Sequence, residues 1–131
     1  MPHNIKIILS RVYVTNDGDT FGSGEFYFDA TVGGERIGDT TANRQIFDAI
    51  EGRTIELDEE TWSRVVDVDR SEYSSGIDIS FQAYDEDVFY DDRLGGTIRT
   101  TFRPPWRQFS FRFPTRFFIL EGRVELEVEG S

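Results

Sequence analysis

Two acidic segments carry the residue types that point most directly to chemistry. Residues 16–25 read Asn-Asp-Gly-Asp-Thr-Phe-Gly-Ser-Gly-Glu, and residues 85–92 read Asp-Glu-Asp-Val-Phe-Tyr-Asp-Asp. Calcium takes about six to eight hard oxygen ligands, mostly carboxylates and carbonyls. Because carboxylates this close repel one another unless a cation neutralises them, the two segments predict a calcium site.

A plainer interpretation of the same segments stays open. Asn-Asp-Gly-Asp is an ordinary turn sequence, and acidic surface loops are common. An EF-hand does not fit, because its loop needs a glutamate at its twelfth position and helices on both sides. The glycines at 18, 22 and 24 allow the first segment to turn tightly and to present its carbonyls. If both segments lie at one end of the fold, their carboxylates form one site.

The elements that hold these segments are predicted to be strands. Apolar residues alternate strictly with polar ones over residues 77–84, which is the period of a half-buried strand. Three further segments repeat the alternation, a β-branched apolar run follows the N-terminus, and three weaker candidates lie between them. Strands are predicted over residues 7–14, 26–32, 54–57, 63–68, 77–84, 97–102, 109–113 and 124–128.

The spacing of strands and turns predicts an all-β fold, a two-layer antiparallel β-sandwich of about eight strands. The chain of 131 residues forms one domain over residues 1–131, and its 12 phenylalanines and two tryptophans supply the core. No segment shows a clear helical period. The best candidate covers residues 41–50, where Ile46, Phe47 and Ile50 could share one apolar face, but it is short and ends at Glu51-Gly52. Pro104 and Pro105 mark a loop between strands rather than a domain boundary.

Several functional classes are excluded or disfavoured by composition. Cysteine is absent and His3 is the single histidine, which excludes Ser-His-Asp and Cys-His catalysis, so no enzyme is expected, although a paired-carboxylate glycosidase stays formally open. A net charge of −11 disfavours nucleic acid as a partner. The first ten residues predict a strand rather than a signal peptide, and no apolar run approaches the ~20 residues of a membrane span. A soluble chain is expected, and its location is not indicated.

An arginine-rich segment interrupts the acidic chain. Residues 93–120 contain six arginines and no acid. Because Arg99 and Arg103 alternate with apolar residues, they are expected to face outward, and Arg107 follows them. One interpretation is an outer face that pairs with acids elsewhere. The other is a patch formed by Arg99, Arg103 and Arg107 that contacts an anionic partner.

The acidic segments also resemble those of the C2 domain, a calcium- and lipid-binding β-sandwich. In that family an aromatic residue ends a strand and is followed by D-x-D, a short tip, Asp, two residues and Gly; here Tyr84 to Gly95 reads this way. Asp19 and Glu25 have the spacing of the family's first loop, although glutamate replaces aspartate at 25. The segment from Tyr84 to Gly95, which matches the family's third calcium loop, is one residue shorter than usual, and no lysine-rich groove is visible. The resemblance implies as calcium ligands Asp19, Glu25, Asp85, Asp87 and Asp92. Our hypothesis adds Asp17 and Asp91, from the same two segments, as supporting ligands.

Aromatic residues lie between the predicted ligands. Phe21 is at the tip of the first segment, and Phe89 and Tyr90 are at the tip of the second. In membrane-docking domains such residues enter the interface while calcium bridges to anionic headgroups, and folding back onto the core is the alternative. The predicted function is calcium-dependent docking to an anionic membrane or a macromolecular partner. The alternative is a metal-independent structural or assembly module, in which the acids give solubility and the arginines make the contact.

Overall fold

The predicted all-β architecture is confirmed by the structure, a computed structural model that describes residues 3–15, 24–38, 45–85 and 92–127. Over these ranges there are eleven strands and one 3-10 turn, η1 (Ser71–Tyr73), and no helix long or apolar enough to cross a membrane. The strands are β1 (Asn4–Val14), β2 (Gly24–Val32), β3 (Glu35–Ile37), β4 (Phe47–Ala49), β5 (Thr54–Glu56), β6 (Ser63–Asp67), β7 (Ile77–Asp85), β8 (Asp92–Arg93), β9 (Ile98–Phe102), β10 (Phe109–Pro114) and β11 (Phe118–Glu127).

The strands form two antiparallel sheets with four positions each. Sheet 1 has the order β10-β11-β1, and both β5 and β6 pair with the remaining edge of β1. Sheet 2 is built on β2 and β7, with β3 and β4 on the outer edge of β2 and β8 and β9 on the outer edge of β7. The eleven strands therefore occupy eight positions, three of which are divided between two short strands. This agrees with the expected sandwich of about eight strands.

The core lies between the inward faces of the two sheets and is rich in aromatic rings. Phe28 is at its centre, with ring centroids 5.1 Å from Phe81, 5.5 Å from Phe47 and 6.0 Å from Trp62. Burying a side chain of this size stabilises a fold by roughly 1.5–3 kcal/mol, and offset or edge-to-face pairs add to that. The alternating apolar residues seen in the sequence therefore supply the cohesion between the layers.

The best helical candidate of the sequence, residues 41–50, forms no helix where the structure describes it. Residues 47–49 form β4, and Phe47 lies opposite Phe26 on β2. Three apolar residues on a short segment cannot offset the free-energy cost of starting a helix. Stacking of Phe47 on Phe28 and pairing with β2 favour the strand instead. Residues 41–44 of that prediction lie outside the described part.

Sheet 1 contains one irregularity that depends on glycine. The register of β1 against β11 shifts between Leu9 and Arg11, and Gly122 is the partner of both Leu9 and Phe111. A Cβ atom at Gly122 would lie 2.3 Å from the carbonyl oxygen of Ile8 and 2.4 Å from Cζ of the Phe111 ring. The absence of a side chain there lets the ring of Phe111 cross β11 and holds β10 close to the sheet.

Candidate functional site

The two acidic segments leave the sandwich from the same end of sheet 2. β2 begins at Gly24 and β7 ends at Asp85, and the antiparallel pairing places Phe26 opposite Asp85. The chain on the N-terminal side of Gly24 and the chain that follows Asp85 therefore start next to each other. We call this end of the sandwich the acidic end. The strand ends that lead from residues 16–23 and into residues 86–91 thus share this end, while those residues themselves lie outside the described part.

Two of the predicted ligands, Glu25 and Asp85, lie on opposite faces of sheet 2. Glu25 is exposed on the outer face, where its cross-strand partner on β4 is Asp48, a residue of like charge. Asp85 is half-buried and, as the partner of inward-facing Phe26, lies on the inner face. An ion held by both carboxylates must therefore lie beyond the strand ends, where both side chains can reach it.

The other predicted ligands are not tested by the described residues. Asp17, Asp19, Asp87 and Asp91 lie outside them, as do the tip residues Phe21, Phe89 and Tyr90. The backbone of Asp92 pairs with that of Asp85, so the backbone of Asp92 also lies at the acidic end. Within residues 3–15, 24–38, 45–85 and 92–127, no group of three or more His, Cys or acidic side chains forms a metal site. The calcium ligand set stays a prediction.

The strands that carry the acidic end are fixed by stacked tyrosines and a buried glutamine. Tyr27 and Tyr84 face outward on β2 and β7 with ring centroids 4.9 Å apart and an interplanar angle of 9°. Gln82 is buried on the same face; it donates to the carbonyl of Ala83 at 2.9 Å and accepts from the Thr97 hydroxyl at 2.6 Å. These contacts join β7 to the segment that leads into β9, and so they fix the direction from which Arg99 approaches.

A shallow groove of about 500 Å3 lies on the outer face of sheet 2. Its floor contains the hydroxyls of Thr31 and Ser80, which bond to each other, and Arg99 lies opposite Ser80 on β9. The carboxylate of Asp78 accepts from the Thr101 hydroxyl at 2.6 Å rather than from an arginine. The groove thus offers hydroxyls, one carboxylate and a guanidinium that has no acidic partner among the described residues, which suits a polar or anionic group.

The structure separates the arginines of residues 93–120 into two kinds. Arg112 lies 3.8 Å from a carboxylate oxygen of Glu121, and the Arg116 guanidinium lies 5.6 Å from the ring centroid of Phe117. Arg99, Arg103 and Arg107 are all exposed, and none forms an ion pair with any residue that the structure describes. The predicted outward direction of Arg99 is confirmed by its register opposite Ser80.

The outer face of sheet 1, in contrast, is a network of paired charges. Glu59 accepts from Lys6 at 2.9 Å and from Arg123 at 2.5 Å, and Arg123 also bonds Glu125 at 2.7 Å. The hydrogen bond from Lys6 is the main reason that the pKa of Glu59 falls below its ordinary value of 4.5. The same bond raises the pKa of Lys6, and the bond to Glu125 raises the pKa of Arg123. This face fits the interpretation of arginines as partners of acids, so it is not a candidate for anion binding.

A pocket that the sequence did not reveal lies at the end opposite the acidic end. Its volume is about 300 Å3, and it combines two separate stretches of chain. The lining residues are Val68, Asp69, Tyr73, Ser74, Pro104, Pro105 and Trp106. The signal available in the sequence was the Pro-Pro-Trp run between Arg103 and Arg107, since tryptophan and arginine are the residues most enriched at binding hot spots. We call this cavity the Trp106 pocket.

Comparison with known proteins shows the fold. No protein-family model matches the sequence, and the curated proteins gave no match. A C2 domain of plant extended synaptotagmin 1 is 12% identical with a TM-score of 0.56, over 98% of this chain and 99% of that one. Human GIVD cytosolic phospholipase A2 is 11% identical with a TM-score of 0.60, and the match spans 98% of this chain but only 17% of the phospholipase chain. CC2D1B, which coordinates ESRCT-III activity during the mitotic reformation of the nuclear envelope, is 14% identical with a TM-score of 0.53, over 96% of this chain and 55% of that one. The chain therefore has a C2-like β-sandwich fold.

Proposed function

We propose that this C2-like sandwich is a non-catalytic docking module that attaches to an anionic membrane or a macromolecular partner when its acidic end binds calcium. The observation that supports the proposal is the pairing of Phe26 with Asp85, which places the end of residues 16–25 beside the start of residues 85–92 at one end of sheet 2. The fold shared with a C2 domain of extended synaptotagmin agrees with a docking role.

Charge explains why calcium is needed in this proposal. A net charge of −11 on the chain, with carboxylates concentrated at the acidic end, disfavours docking of that end to anionic lipid unless a cation is bound. Calcium held at the acidic end would reverse the local field and bridge to anionic groups, while Phe21, Phe89 and Tyr90 would enter the interface. The ligands proposed for it are Asp19, Glu25, Asp85, Asp87 and Asp92, supported by Asp17 and Asp91.

The test is thermal unfolding of the whole chain in EDTA, in millimolar calcium and in millimolar magnesium. An ion that binds only the folded state stabilises by about 2.7 kcal/mol at a hundredfold excess over its Kd. For a domain of this length that raises Tm by roughly 10 °C. The double variant Asp85→Asn/Asp87→Asn is expected to lose most of the rise. The control Glu60→Gln/Glu127→Gln removes two exposed acids away from the acidic end and is expected to keep it.

Co-sedimentation with phosphatidylserine-containing vesicles then tests docking. Binding in calcium that EDTA reverses, and that Asp85→Asn/Asp87→Asn abolishes, would support the membrane as the partner. An equal rise in Tm with magnesium, or no rise with either ion, would contradict the calcium proposal. A calcium-specific rise without vesicle binding would retain the metal site and direct the search to a macromolecular partner.

A second function is favoured by a separate observation. Arg99, Arg103 and Arg107 are exposed, and the described part of the chain offers them no acidic partner. We propose that they form a metal-independent contact with an anionic partner, as an assembly module would. The triple variant Arg99→Gln/Arg103→Gln/Arg107→Gln would abolish partner binding in EDTA under this function. Under the calcium function the same variant would keep its calcium-induced rise in Tm.

A further inference from the structure

The Trp106 pocket has walls that are held in place before any ligand arrives. Its first wall includes Tyr73, which is buried, donates from its hydroxyl to the carbonyl of Gly33 at 3.3 Å and lies under the guanidinium of Arg64, 6.0 Å from the ring centroid. Beside it, the amide of Val68 bonds to the carbonyl of His3 at 3.0 Å, which ties this wall to the start of β1. A binding site that needs no ordering binds more tightly than a flexible one.

The second wall belongs to the loop between β9 and β10. This loop carries Pro104, Pro105 and Trp106, and it ends at Gln108, whose side-chain oxygen accepts from the amide of Leu126 at 3.4 Å. The pocket of about 300 Å3 is at the lower end of the roughly 300–1,000 Å3 range of ligand sites. It therefore has room for one large apolar side chain of a partner.

The charges next to the pocket identify the kind of partner. Arg103 and Arg107 lie within this loop on either side of residues 104–106, both are exposed, and among the described residues neither has an acidic partner. The Cγ atom of Arg103 passes within 3.3 Å of the position a Cβ would take on Gly76, and the amide of Gly76 bonds to Tyr73 of the opposite wall at 3.1 Å. Two exposed cations thus stand beside an apolar cavity. The carboxylate in the cavity, Asp69, is paired with a ring nitrogen of His3 at 2.5 Å.

We infer that the Trp106 pocket binds an acidic peptide segment of a partner protein, which inserts one apolar side chain against Trp106 and places carboxylates on Arg103 and Arg107. The inference deepens the metal-independent contact proposed above, because it names the class of partner. A flat anionic surface could use the two arginines but has no side chain to fill the cavity. Charge complementarity with an apolar anchor therefore favours a peptide over a lipid surface.

The probes are fluorescein-labelled heptapeptides with three glutamates on each side of a central leucine or a central glutamine. Binding to the whole chain in EDTA is followed by anisotropy and by the emission of Trp106. The other tryptophan, Trp62, is 1% exposed and gives a constant background. Burial of the leucine is expected to make its peptide bind about tenfold or more tightly than the glutamine peptide. Equal affinities, or no binding of either peptide, would overturn the inference.

Two variants separate the cavity from the charges. Trp106→Ala is expected to remove the preference for leucine and to leave weak, salt-sensitive binding of both peptides. Arg103→Gln/Arg107→Gln is expected to weaken both peptides about fivefold or more and to flatten their dependence on salt. The matched control Arg53→Gln/Arg116→Gln removes two charges from the opposite end and should change nothing. Circular dichroism and Tm establish that each variant is folded.

A vesicle experiment distinguishes failure of the inference from failure of the function it rests on. Phosphatidylserine vesicles are added in EDTA to the wild type and to Arg103→Gln/Arg107→Gln. Arginine-dependent vesicle binding without peptide binding would overturn the peptide inference while the metal-independent contact survived. Unchanged leucine preference in a folded Trp106→Ala would likewise overturn the role of the cavity.

Discussion

Replacing Arg99, Arg103 and Arg107 with glutamine should leave the stability of the sandwich almost unchanged. Each is exposed and makes no ion pair with the described residues, so each substitution falls within about 0.5 kcal/mol, the usual range for surface changes. Arg64 is the comparison. Its side chain is 15% exposed, and it donates to the carbonyl of Val32 at 2.5 Å and approaches Glu35 at 3.3 Å.

The expected effect at Arg64 follows from those contacts. The ion pair contributes little because Glu35 is 71% exposed. The bond to the carbonyl of Val32 comes from a charged donor, and such bonds are worth about 1.5–3 kcal/mol. Arg64→Gln should therefore lower Tm by roughly 6–12 °C, at about 4 °C per kcal/mol for a domain of this size.

The assay is urea unfolding followed by tryptophan fluorescence, with Tm from circular dichroism on the same samples. The midpoint should fall for Arg64→Gln with an unchanged slope, and it should stay within error for the triple variant. A loss of more than about 2 kcal/mol in the triple variant would refute the reasoning, because it exceeds the sum expected for free surface arginines. It would mean that these arginines hold the fold together and are not available to a partner. A fully stable Arg64→Gln would refute the contacts assigned to Arg64.

Three further predictions concern the scaffold. Gly122→Ala should destabilise by up to about 3 kcal/mol, because the added methyl would meet the carbonyl of Ile8. Gly96→Ala, where the added methyl would meet no atom, should stay near the wild type in the same urea assay. Equal stability of the two variants would contradict the register of β11. Phe28→Ala should lose about 3–5 kcal/mol from the centre of the core, and Phe28→Leu clearly less; similar losses would argue against close packing there. Because the pKa of Glu59 is depressed, its contribution is complete above pH 4.5 and is lost as the pH falls below that value, so the stability gap to Glu59→Gln should close in acid unfolding curves. A gap that stayed constant to about pH 3 would count against the bond from Lys6.

Much of the fold could be predicted because alternation of apolar and polar residues indicates which face of a strand is buried. Residues 77–84 were predicted from alternation, and β7 (Ile77–Asp85) places Ile77, Ile79 and Phe81 in the core. The same rule correctly placed Arg99 on an outer face. This alternation involves only neighbouring residues, so it can be recognised from the sequence alone.

Other parts of the fold depended on packing between distant residues. Phe47 belongs to the best helical candidate of the sequence, yet residues 47–49 form a strand of sheet 2 in which Phe47 contacts Phe28. Local propensity is weak for so short a segment, and burial against an aromatic core outweighs it. The division of three positions into two strands each and the shift between Leu9 and Arg11 likewise follow from fitting one sheet to the other.

For the functional surfaces, the sequence by itself determined the chemistry, and the tertiary structure decided which residues share it. The sequence offered carboxylates as predicted calcium ligands and arginines as predicted contacts for an anionic partner. Only the pairing of β2 with β7 brought the end of residues 16–25 next to the start of residues 85–92. Only the fold showed that Arg112 has an acidic neighbour while Arg103 and Arg107 have none among the described residues. The Trp106 pocket joins Tyr73 to residues more than 30 positions away. The type of each residue is known from its own position in the sequence. The distance between residues far apart in the chain depends on how the two sheets pack against each other, which no single segment determines.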